Sequence, residues 1–388
     1  MDYYIERLNN ELKNIVSFWQ KFAIVDNHIA AEVSNNGHPV YDAPLGCIYL
    51  SRLLFGSSAA CMYKHESSYR QLADLAYHTL RNQLSNPNGG YYWAVDRNGE
   101  IVHDNLNVSM AQAFVIYGLS EYYVLTGDED VKREIFHQID FIESKLKHYL
   151  DNSYLDGYET DWNPLKKQYK SLGTHLHLLE AYTKFVTVSG DSIYKRSIEK
   201  LIGILISWFI NKETGEVLHQ FDINWNPLPN ENWIGHNMEA GWILYNSARM
   251  IKNKDLIKDC ENILLSLCDH AIDVGFDHQY GGMFNRFING EVITTNKEWW
   301  TQSESVIALL YAHRISNNKK YLSYAIRLLE YIDNSFSDQE KGEWFDSITR
   351  EGKPVYELPR LHLWKSMYHN VRYCIESVKQ LEQLFVKA

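Results

Sequence analysis

Hydrophobic residues recur along the whole chain at spacings of three and four, which is the pattern of helices with one buried face. Twelve segments carry it: 4–25, 44–62, 67–84, 107–126, 128–148, 171–189, 191–210, 235–251, 254–273, 297–316, 319–334 and 361–387. The even-numbered segments begin near 44, 107, 171, 235, 297 and 361, so successive starts lie 62 to 64 residues apart. A period this regular indicates an internal repeat with one helical hairpin in each unit.

The connections between these helices alternate between short and long. A few polar residues, as in "TGDED" at 126 and "SNNKK" at 316, join each even helix to the next odd one and make the two antiparallel neighbours. Long stretches such as "NGGYYWAVDRNGEIVHD" and "YGGMFNRFINGEVITTNKE" join the opposite ends. Their glycines, alternating aromatic residues and NGE-type reversals predict short β-hairpins.

Six helical hairpins without a Pro/Gly-rich linker predict one domain over residues 1–388. We expect an all-α fold, an (α/α)6 toroid barrel whose even helices line the inside while the odd helices cover them. The amino-terminal ends of the inner helices then share one face with the long connections, and that face should hold any site. An open solenoid is the alternative, but it requires polar capping repeats that the sequence does not show.

Charge and composition narrow the function classes. A net charge of −11 and a pI near 5.8 disfavour binding to nucleic acid or to an anionic membrane. The apolar run 201–210 is too short to cross a bilayer, and the first twenty residues lack a signal-peptide pattern. Five cysteines, none in a C-x-x-C pair, predict free thiols in a reducing compartment. We therefore expect a soluble, cytoplasmic protein.

Polar and aromatic residues collect at the predicted starts of the inner helices. These residues are Arg52, His175, His177, His236, Glu239, Trp299, Trp300, Glu304, Trp364 and His369. In a chain with 27 Tyr and 11 Trp, such a mouth suits a sugar, because aromatic faces stack on CH groups while OH and NH groups form hydrogen bonds. The partly positive helix amino termini favour an anionic intermediate and neutral histidines.

Other kinds of site are disfavoured. The sequence lacks the zincin pattern H-E-x-x-H, both glycine-rich nucleotide motifs and the G-x-S-x-G elbow. His175 and His177 lie on different faces of a helix, which argues against a metal site. Asp161, Glu239 and Glu304 could supply the carboxyl pair of a glycoside hydrolase, but the histidines would then have no role. A non-catalytic sugar-binding barrel is a third alternative.

Stretches from nearly the whole chain resemble the N-acylglucosamine 2-epimerase and cellobiose 2-epimerase superfamily, and most closely the cellobiose enzymes. The stretches are "SRLLFGSSAA", "GGYYWAVDRNG", "AQAFVIYGLSEYYVLTGD", "THLHLLEAYTKF", "GHNMEAGWIL", "WWTQSESVIALLYA" and "LWKSMYHNVR". H-x-x-E-A in the eighth helix and W-K-x-x-Y-H-N in the twelfth are the most specific. The resemblance implies the same barrel, epimerisation or isomerisation of aldoses, a small-molecule sugar as partner, a monomer or homodimer, and no cofactor.

Carried over position by position, the resemblance implies that His236 and His369 are the two acid/base histidines. Arg52 and His177 would hold the O1 and O2 region of the sugar, and Glu239 would support His236. The implied substrate contacts are Trp300, Trp364, Glu304 and Asn370. Such an arrangement suits inversion at C2, because two bases on opposite sides can remove a proton and return one while a fixed cation stabilises the enediolate.

The sequence departs from the family pattern in places. Ser366 and Met367 replace the middle pair of W-K-C-P-Y-H-N, and Phe55 stands where a tryptophan commonly follows the arginine. A tyrosine contact of unknown role, expected at position 109, is not available, because the chain carries Ser109 there. We expect a 2-epimerase acting on the reducing-end glucose of cellobiose or a related β-1,4 disaccharide. An N-acylglucosamine 2-epimerase, or a mannose isomerase or 2-epimerase, is the alternative.

Overall fold

The computed structural model describes residues 1–40, 42–102, 106–229 and 231–386. Each predicted helical segment overlaps with one helix in this part of the chain. The helices are α1 Asp2–Phe18, α2 Cys47–Lys64, α3 Ser67–Leu84, α4 Ser109–Thr126, α5 Glu129–Lys145, α6 Leu172–Ser189, α7 Lys195–Ile204, α8 Ile234–Ile251, α9 Lys254–His270, α10 Trp299–Ser316, α11 Lys319–Tyr331 and α12 His369–Val386. One π-type turn follows each of α1, α7, α9 and α11.

Inner and outer helices differ in how much of their surface is apolar. In α4, every residue from 111 to 122 is buried, as expected for a helix surrounded by protein. An outer helix buries one stripe only, with polar residues on its other face. In α9, for example, the buried residues are Cys260, Ile263, Leu264, Leu267 and Cys268.

The inner helices form a closed ring. They pack side by side in the order α2, α4, α6, α8, α10 and α12, and α12 also contacts α2. Outside this ring, α3 packs on α2, α5 on α4, α7 on α6, α9 on α8, α11 on α10 and α1 on α12. The predicted (α/α)6 toroid is confirmed, and the open solenoid is wrong because the last inner helix meets the first.

Short antiparallel strands occupy the long connections, as predicted. They are β1 Ile24–Val25, β2 His28–Ile29, β3 Glu32–Val33, β4 Pro39–Val40, β5 Leu45–Gly46, β6 Ala94–Val95, β7 Leu106–Asn107, β8 Asp156–Glu159, β9 Pro164–Ser171, β10 Ile210–Asn211, β11 Glu216–Val217, β12 Gln220–Asp222, β13 Asn232–Trp233, β14 Arg286–Ile288, β15 Glu291–Val292, β16 Lys297–Glu298 and β17 Ser347–Ile348. The largest sheet has the order β12-β9-β8-β7. Because β5, β7, β9, β13 and β16 lead into α2, α4, α6, α8 and α10, the strands surround the amino-terminal mouth of the ring.

The last helix begins later than its apolar spacing predicts. The expected segment starts at 361, whereas α12 starts at His369 and the intervening residues form an irregular loop. Within this loop the Lys365 ammonium is fully buried and donates to Glu343 Oε1 at 3.1 Å and to the Trp344 carbonyl at 2.9 Å. A buried lysine with these contacts fixes the irregular backbone of the loop. The spacing of apolar residues does not reveal such contacts, so it places the start of the helix too early.

The five cysteines are buried free thiols, as predicted. None of the helices in the described part of the chain combines the length and the apolar character that a bilayer span requires.

Candidate active site

Equivalent positions of the inner helices form one layer inside the ring. The sixth residues of α2, α4, α6, α8 and α10 are Arg52, Phe114, His177, Glu239 and Glu304. The loop before α12 replaces the first turn that the other inner helices have, so the first residue of α12, His369, meets this layer and bonds Glu304. The repeat therefore places one side chain from each inner helix in this layer.

Both predicted acid/base histidines lie against the same tryptophan. The ring centroid of Trp300 is 4.9 Å from that of His236 and 5.7 Å from that of His369. His236 lies in the first turn of α8 and His369 begins α12, while Trp300 belongs to α10 between them. The ring thus brings together two imidazoles that are 133 positions apart in sequence.

His236 is held by a second histidine and by an indole. Its Nδ1 lies 2.9 Å from Nε2 of His219, and its ring stacks on Trp233 with an interplanar angle of 7°. Burial lowers the pKa of His236 well below the usual 6.5, and the neighbouring histidines and arginine lower it further. His236 is therefore neutral and able to accept a proton at neutral pH.

The structure pairs Glu239 with Arg372, and the support of His236 by Glu239 stays a prediction. Although the two residues are three apart on α8, Oε1 of Glu239 accepts a hydrogen bond from Nη2 of Arg372 at 2.7 Å. His219, in the turn between β11 and β12, lies beside His236 in the position that was expected for Glu239. Sequence spacing misses this partner because it comes from a connection and not from the helix.

His369 has a carboxylate partner. Its Nδ1 lies 2.7 Å from Oε1 of Glu304. The other carboxylate oxygen of Glu304, Oε2, accepts a hydrogen bond from Trp242 Nε1 at 2.9 Å. Glu304 is therefore a buried partner of His369, and its contact with substrate stays a prediction. Burial lowers the pKa of His369 well below 6.5, against the opposing effect of the Glu239 carboxylate.

Arg372 joins three buried carboxylates, one of which is the partner of His369. Its guanidinium donates to Glu180, to Glu239 at 2.7 Å and to Glu304 at 2.7 Å. Burial alone would raise the pKa of Glu180, but Arg372 and His177 lower it to about 2. The sequence pattern did not single out Arg372 or Glu180. The available signal was that each is a charged residue on a predicted inner helix.

Arg52 and His177 lie against the same ring, that of Phe114. The Arg52 guanidinium lies 4.5 Å from the centre of the Phe114 ring, and the His177 ring lies 4.4 Å from the same ring. Burial lowers the pKa of Arg52 to about 10, and Nε of this side chain has no hydrogen-bond partner among the described residues. His177 is bonded through Nδ1 to Glu180 at 3.1 Å, which leaves its Nε2 for a ligand. Arg52 can therefore donate to an oxyanion, and His177 can do so only as an imidazolium, because the one N–H of its neutral ring is directed at Glu180.

Ligand atoms of Glu239, Glu304 and His369 lie within 4.8 Å of one another, a separation that a metal ion could bridge. However, Arg372 already donates to both carboxylates and compensates their charge. A metal bound there would need to displace this buried guanidinium, so the donor set fits proton transfer better than metal binding.

Comparison with known proteins identifies the family of the chain. The sequence model described as N-acylglucosamine 2-epimerase (GlcNAc 2-epimerase) matches residues 30–372. The chain belongs to this family. The cellobiose 2-epimerase of Dictyoglomus turgidum is 32% identical to it, with 97% of each chain covered. The cellobiose 2-epimerase of Bacteroides fragilis is 29% identical, with 86% of this chain and 87% of the relative covered.

Solved structures agree with the sequence comparison. The structure of cellobiose 2-epimerase from Bacillus thermoamylovorans B4167 has a TM-score of 0.92 and 26% identity, with 98% of this chain and 100% of that chain covered. The protein is accordingly a carbohydrate epimerase, an isomerase, and specifically a sugar 2-epimerase.

In this epimerase the two predicted stacking tryptophans have different surroundings. Trp300 is buried and donates through Nε1 to Glu298 at 2.7 Å, which fixes its plane beside the histidines. Trp364 lies in the loop before α12, remains 43% exposed and packs on Trp93 at a centroid distance of 5.0 Å. Phe55, the departure from the family pattern, packs inside the ring. Trp364 therefore lies near the entrance and Trp300 near the histidines.

Three other residues singled out in the sequence are occupied by protein contacts. Asn370 is fully buried and donates to Glu343 Oε1 at 2.6 Å, and its contact with substrate stays a prediction. At position 109, the hydroxyl of Ser109 donates to a backbone carbonyl at 2.6 Å. His175 is fully buried and accepts from the Tyr154 N–H at 3.0 Å, which removes it from the predicted mouth cluster.

Proposed function

We propose that the epimerase inverts C2 of the reducing-end glucose of cellobiose or a related β-1,4-linked disaccharide, giving the mannose epimer. The observation that carries this proposal is the placement of His236 and His369 against one Trp300 ring, with Arg52 in the same layer. The relatives named as cellobiose 2-epimerases support the choice of substrate.

In the proposed reaction, one histidine takes the proton from C2 of the open-chain sugar. The electron pair that remains forms an enediolate, with negative charge shared by O1 and O2. Arg52 offers an unpartnered Nε–H from a buried guanidinium to this charge. His177 donates to it through Nε2 when its ring is doubly protonated, a form that the Glu180 carboxylate at Nδ1 stabilises. The second histidine then gives a proton to the opposite face of C2, which inverts that carbon.

The two histidines differ in their readiness to hold a proton. A carboxylate, Glu304, bonds His369 at 2.7 Å, whereas the neighbouring ring of His219 bonds His236 at 2.9 Å. Because a carboxylate stabilises an imidazolium and a neutral imidazole does so less, His369 is the better donor and His236 the better base. When product returns to substrate, the two roles are exchanged.

A disaccharide fits the arrangement of the two tryptophans. Trp300 lies beside the histidines and would contact the ring that reacts. Trp364, exposed near the entrance and supported by Trp93, offers a flat surface to a second sugar ring. A monosaccharide would leave that surface unused, which favours the disaccharide.

Proton NMR in D2O tests the proposal, with cellobiose, glucose, mannose and N-acetylglucosamine in separate tubes. We expect loss of the C2–H signal and new anomeric signals from the mannose epimer in the cellobiose tube. Epimerisation confined to a monosaccharide would contradict the disaccharide assignment. Release of glucose from cellobiose would indicate the glycoside hydrolase, and no change in any tube would contradict the proposed function.

A further inference from the structure

The imidazole of His219 connects His236 to a backbone carbonyl group. Its Nδ1 lies 2.7 Å from the carbonyl oxygen of Glu231, and its Nε2 lies 2.9 Å from Nδ1 of His236. The two ring centroids are 4.9 Å apart. His219 lies outside the stretches that resemble the family motifs, so the sequence gives it no role.

When both imidazoles are neutral, these two contacts fix which ring nitrogen of each carries the hydrogen. A carbonyl oxygen can only accept, so Nδ1 of His219 carries the hydrogen in the contact with Glu231. A neutral imidazole carries one N–H, so Nε2 of His219 has a lone pair and accepts from Nδ1 of His236. The remaining nitrogen of His236, Nε2, is then left with a lone pair, which makes it the basic atom.

We propose that His219 is a positioning residue that holds His236 in its Nδ1–H tautomer and keeps Nε2 free to take the C2 proton. The catalytic part of this inference rests on the proposed function, in which His236 is one of the two bases. The tautomer is inferred from the contacts alone and does not require a bound sugar.

The surroundings keep the carbonyl acceptor in place. Arg286 donates to Oε2 of Glu231 through Nε at 2.8 Å and through Nη2 at 2.6 Å, and Arg286 pairs with Trp233 between strands β14 and β13. Trp233 in turn stacks on the His236 ring. The connection that precedes α8 therefore fixes both the position and the ring plane of His236.

A neutral partner suits a base better than a carboxylate does. A carboxylate in place of His219 would stabilise the protonated form of His236 and weaken it as a base. An imidazole that donates to a backbone carbonyl orients His236 without adding a negative charge. This distinguishes the His219 contact from the contact between Glu304 and His369.

Two substitutions separate orientation from simple packing. His219→Gln keeps both functions, because the amide oxygen accepts from His236 while the amide nitrogen donates to Glu231. His219→Leu keeps the volume and removes both functions. We expect kcat to fall about 10- to 100-fold in His219→Leu with KM within about threefold, and to recover most of this loss in His219→Gln. Equal losses in both variants, or an unchanged kcat in His219→Leu, would overturn the inference.

A matched control is available at the other end of α10. His313 is also buried and bonded through Nδ1 to a backbone carbonyl, that of Asn318 at 3.0 Å. His313→Gln should leave kcat and KM unchanged. Far-UV circular dichroism of all three variants checks that each one is folded.

The tautomer is measured directly, without any sugar, by long-range proton–nitrogen correlation of histidine-labelled protein. The His236 signals are assigned from their absence in His236→Asn. We expect the Nδ1–H tautomer in the unaltered chain and in His219→Gln, and a shift towards the Nε2–H tautomer in His219→Leu. An Nε2–H tautomer in the unaltered chain, or none of this shift, would overturn the inference. Absence of turnover on every sugar would instead contradict the proposed function and leave the tautomer result standing.

Discussion

At the scale of single residues, the two histidines of the site are chemically unequal. His236 is bonded to another imidazole, whereas His369 is bonded to a carboxylate that is itself neutralised by Arg372. Both rings are removed from water, and burial lowers the pKa of each. Two bases with different partners suit a reaction in which one proton leaves a face of C2 and another arrives on the opposite face.

The two-base arrangement predicts similar losses of turnover in two single variants but retained exchange in different epimers. His236→Asn and His369→Asn should each reduce epimerisation by about 10²-fold to 10⁴-fold, because one proton transfer is missing. Each variant should still exchange C2–H with D2O in the one epimer whose hydrogen faces the remaining histidine. The measurement is C2 deuteration of cellobiose and of its mannose epimer in separate tubes. Epimerisation at the unaltered rate in either variant would contradict the two-base mechanism.

The lowered pKa values also predict the pH dependence of the reaction. A histidine that must accept a proton works above its pKa, and burial lowers the pKa of His236 well below 6.5. The acid limb of kcat/KM should therefore lie below pH 6.5, with activity lost as the pH falls through it. A profile of kcat/KM from pH 4.5 to pH 8 checks this. An acid limb centred above pH 6.5 would contradict the assignment of a buried neutral base.

At the scale of elements, the inner helix α2 and the loop before α12 pack at backbone distance. A Cβ atom at Gly56 would lie 1.8 Å from the carbonyl oxygen of Met367, two residues before His369. Glycine at this position of α2 therefore permits the irregular loop to replace the first turn of α12. The contact also couples the position of His369 to the packing of α2.

Gly56→Ala should displace this loop. We expect a loss of about 1 to 3 kcal/mol in the free energy of unfolding, together with reduced kcat, because the neighbouring atom belongs to the backbone and cannot rotate away. The control is Gly203→Ala on the outer helix α7, where nothing lies within 4 Å of the added Cβ. That change should be neutral or should stabilise by up to about 1 kcal/mol. Urea unfolding and steady-state kinetics of both variants test the comparison, and equal effects would refute it.

The same elements show what the sequence could predict. Apolar periodicity locates the twelve helices, because each inner or outer helix needs its own buried surface, and the repeat then gives the ring. It does not locate the start of α12, where Lys365 and Glu343 hold an irregular backbone. The histidines follow from motifs, whereas Arg372 and His219 depend on partners from other helices or from connections. Contacts between distant segments are therefore what the sequence leaves unpredicted.

At the scale of the whole molecule, buried polar contacts join the first helix to the last hairpin. Glu11 of α1 accepts from Trp344 Nε1 at 2.6 Å and from the Ser337 hydroxyl at 2.8 Å. Asn35 accepts from Arg360, and Val33 pairs with Leu361. The ring is thus closed by groups that are more than 300 positions apart in sequence.

Glu11 makes this closure sensitive to pH. Burial raises its pKa from 4.5 to about 7, so the protonated form is favoured in the folded state. Its contribution to stability is complete below pH 4.5 and is lost as the pH rises towards 7. Glu11→Gln should therefore be more stable than the unaltered chain at pH 8, by about 2 to 3 kcal/mol, and nearly equal at pH 4.

Thermal or urea unfolding at both pH values measures this difference. Glu6→Gln, an exposed position on the same helix, is the control and should change stability at neither pH. Lower stability of Glu11→Gln at pH 8 would contradict the prediction that Glu11 is strained by its buried charge.

The closure of the ring also affects how the protein is made. Helix α12 leaves the ribosome after the other eleven, and it carries His369 and Arg372. Until it arrives, inner helices that are apolar around most of their surface face an open gap, and the carboxylates of Glu180, Glu239 and Glu304 have no shared cation. The nascent chain is therefore at its most prone to aggregate just before α12 emerges, which makes this the stage at which a chaperone would be needed most.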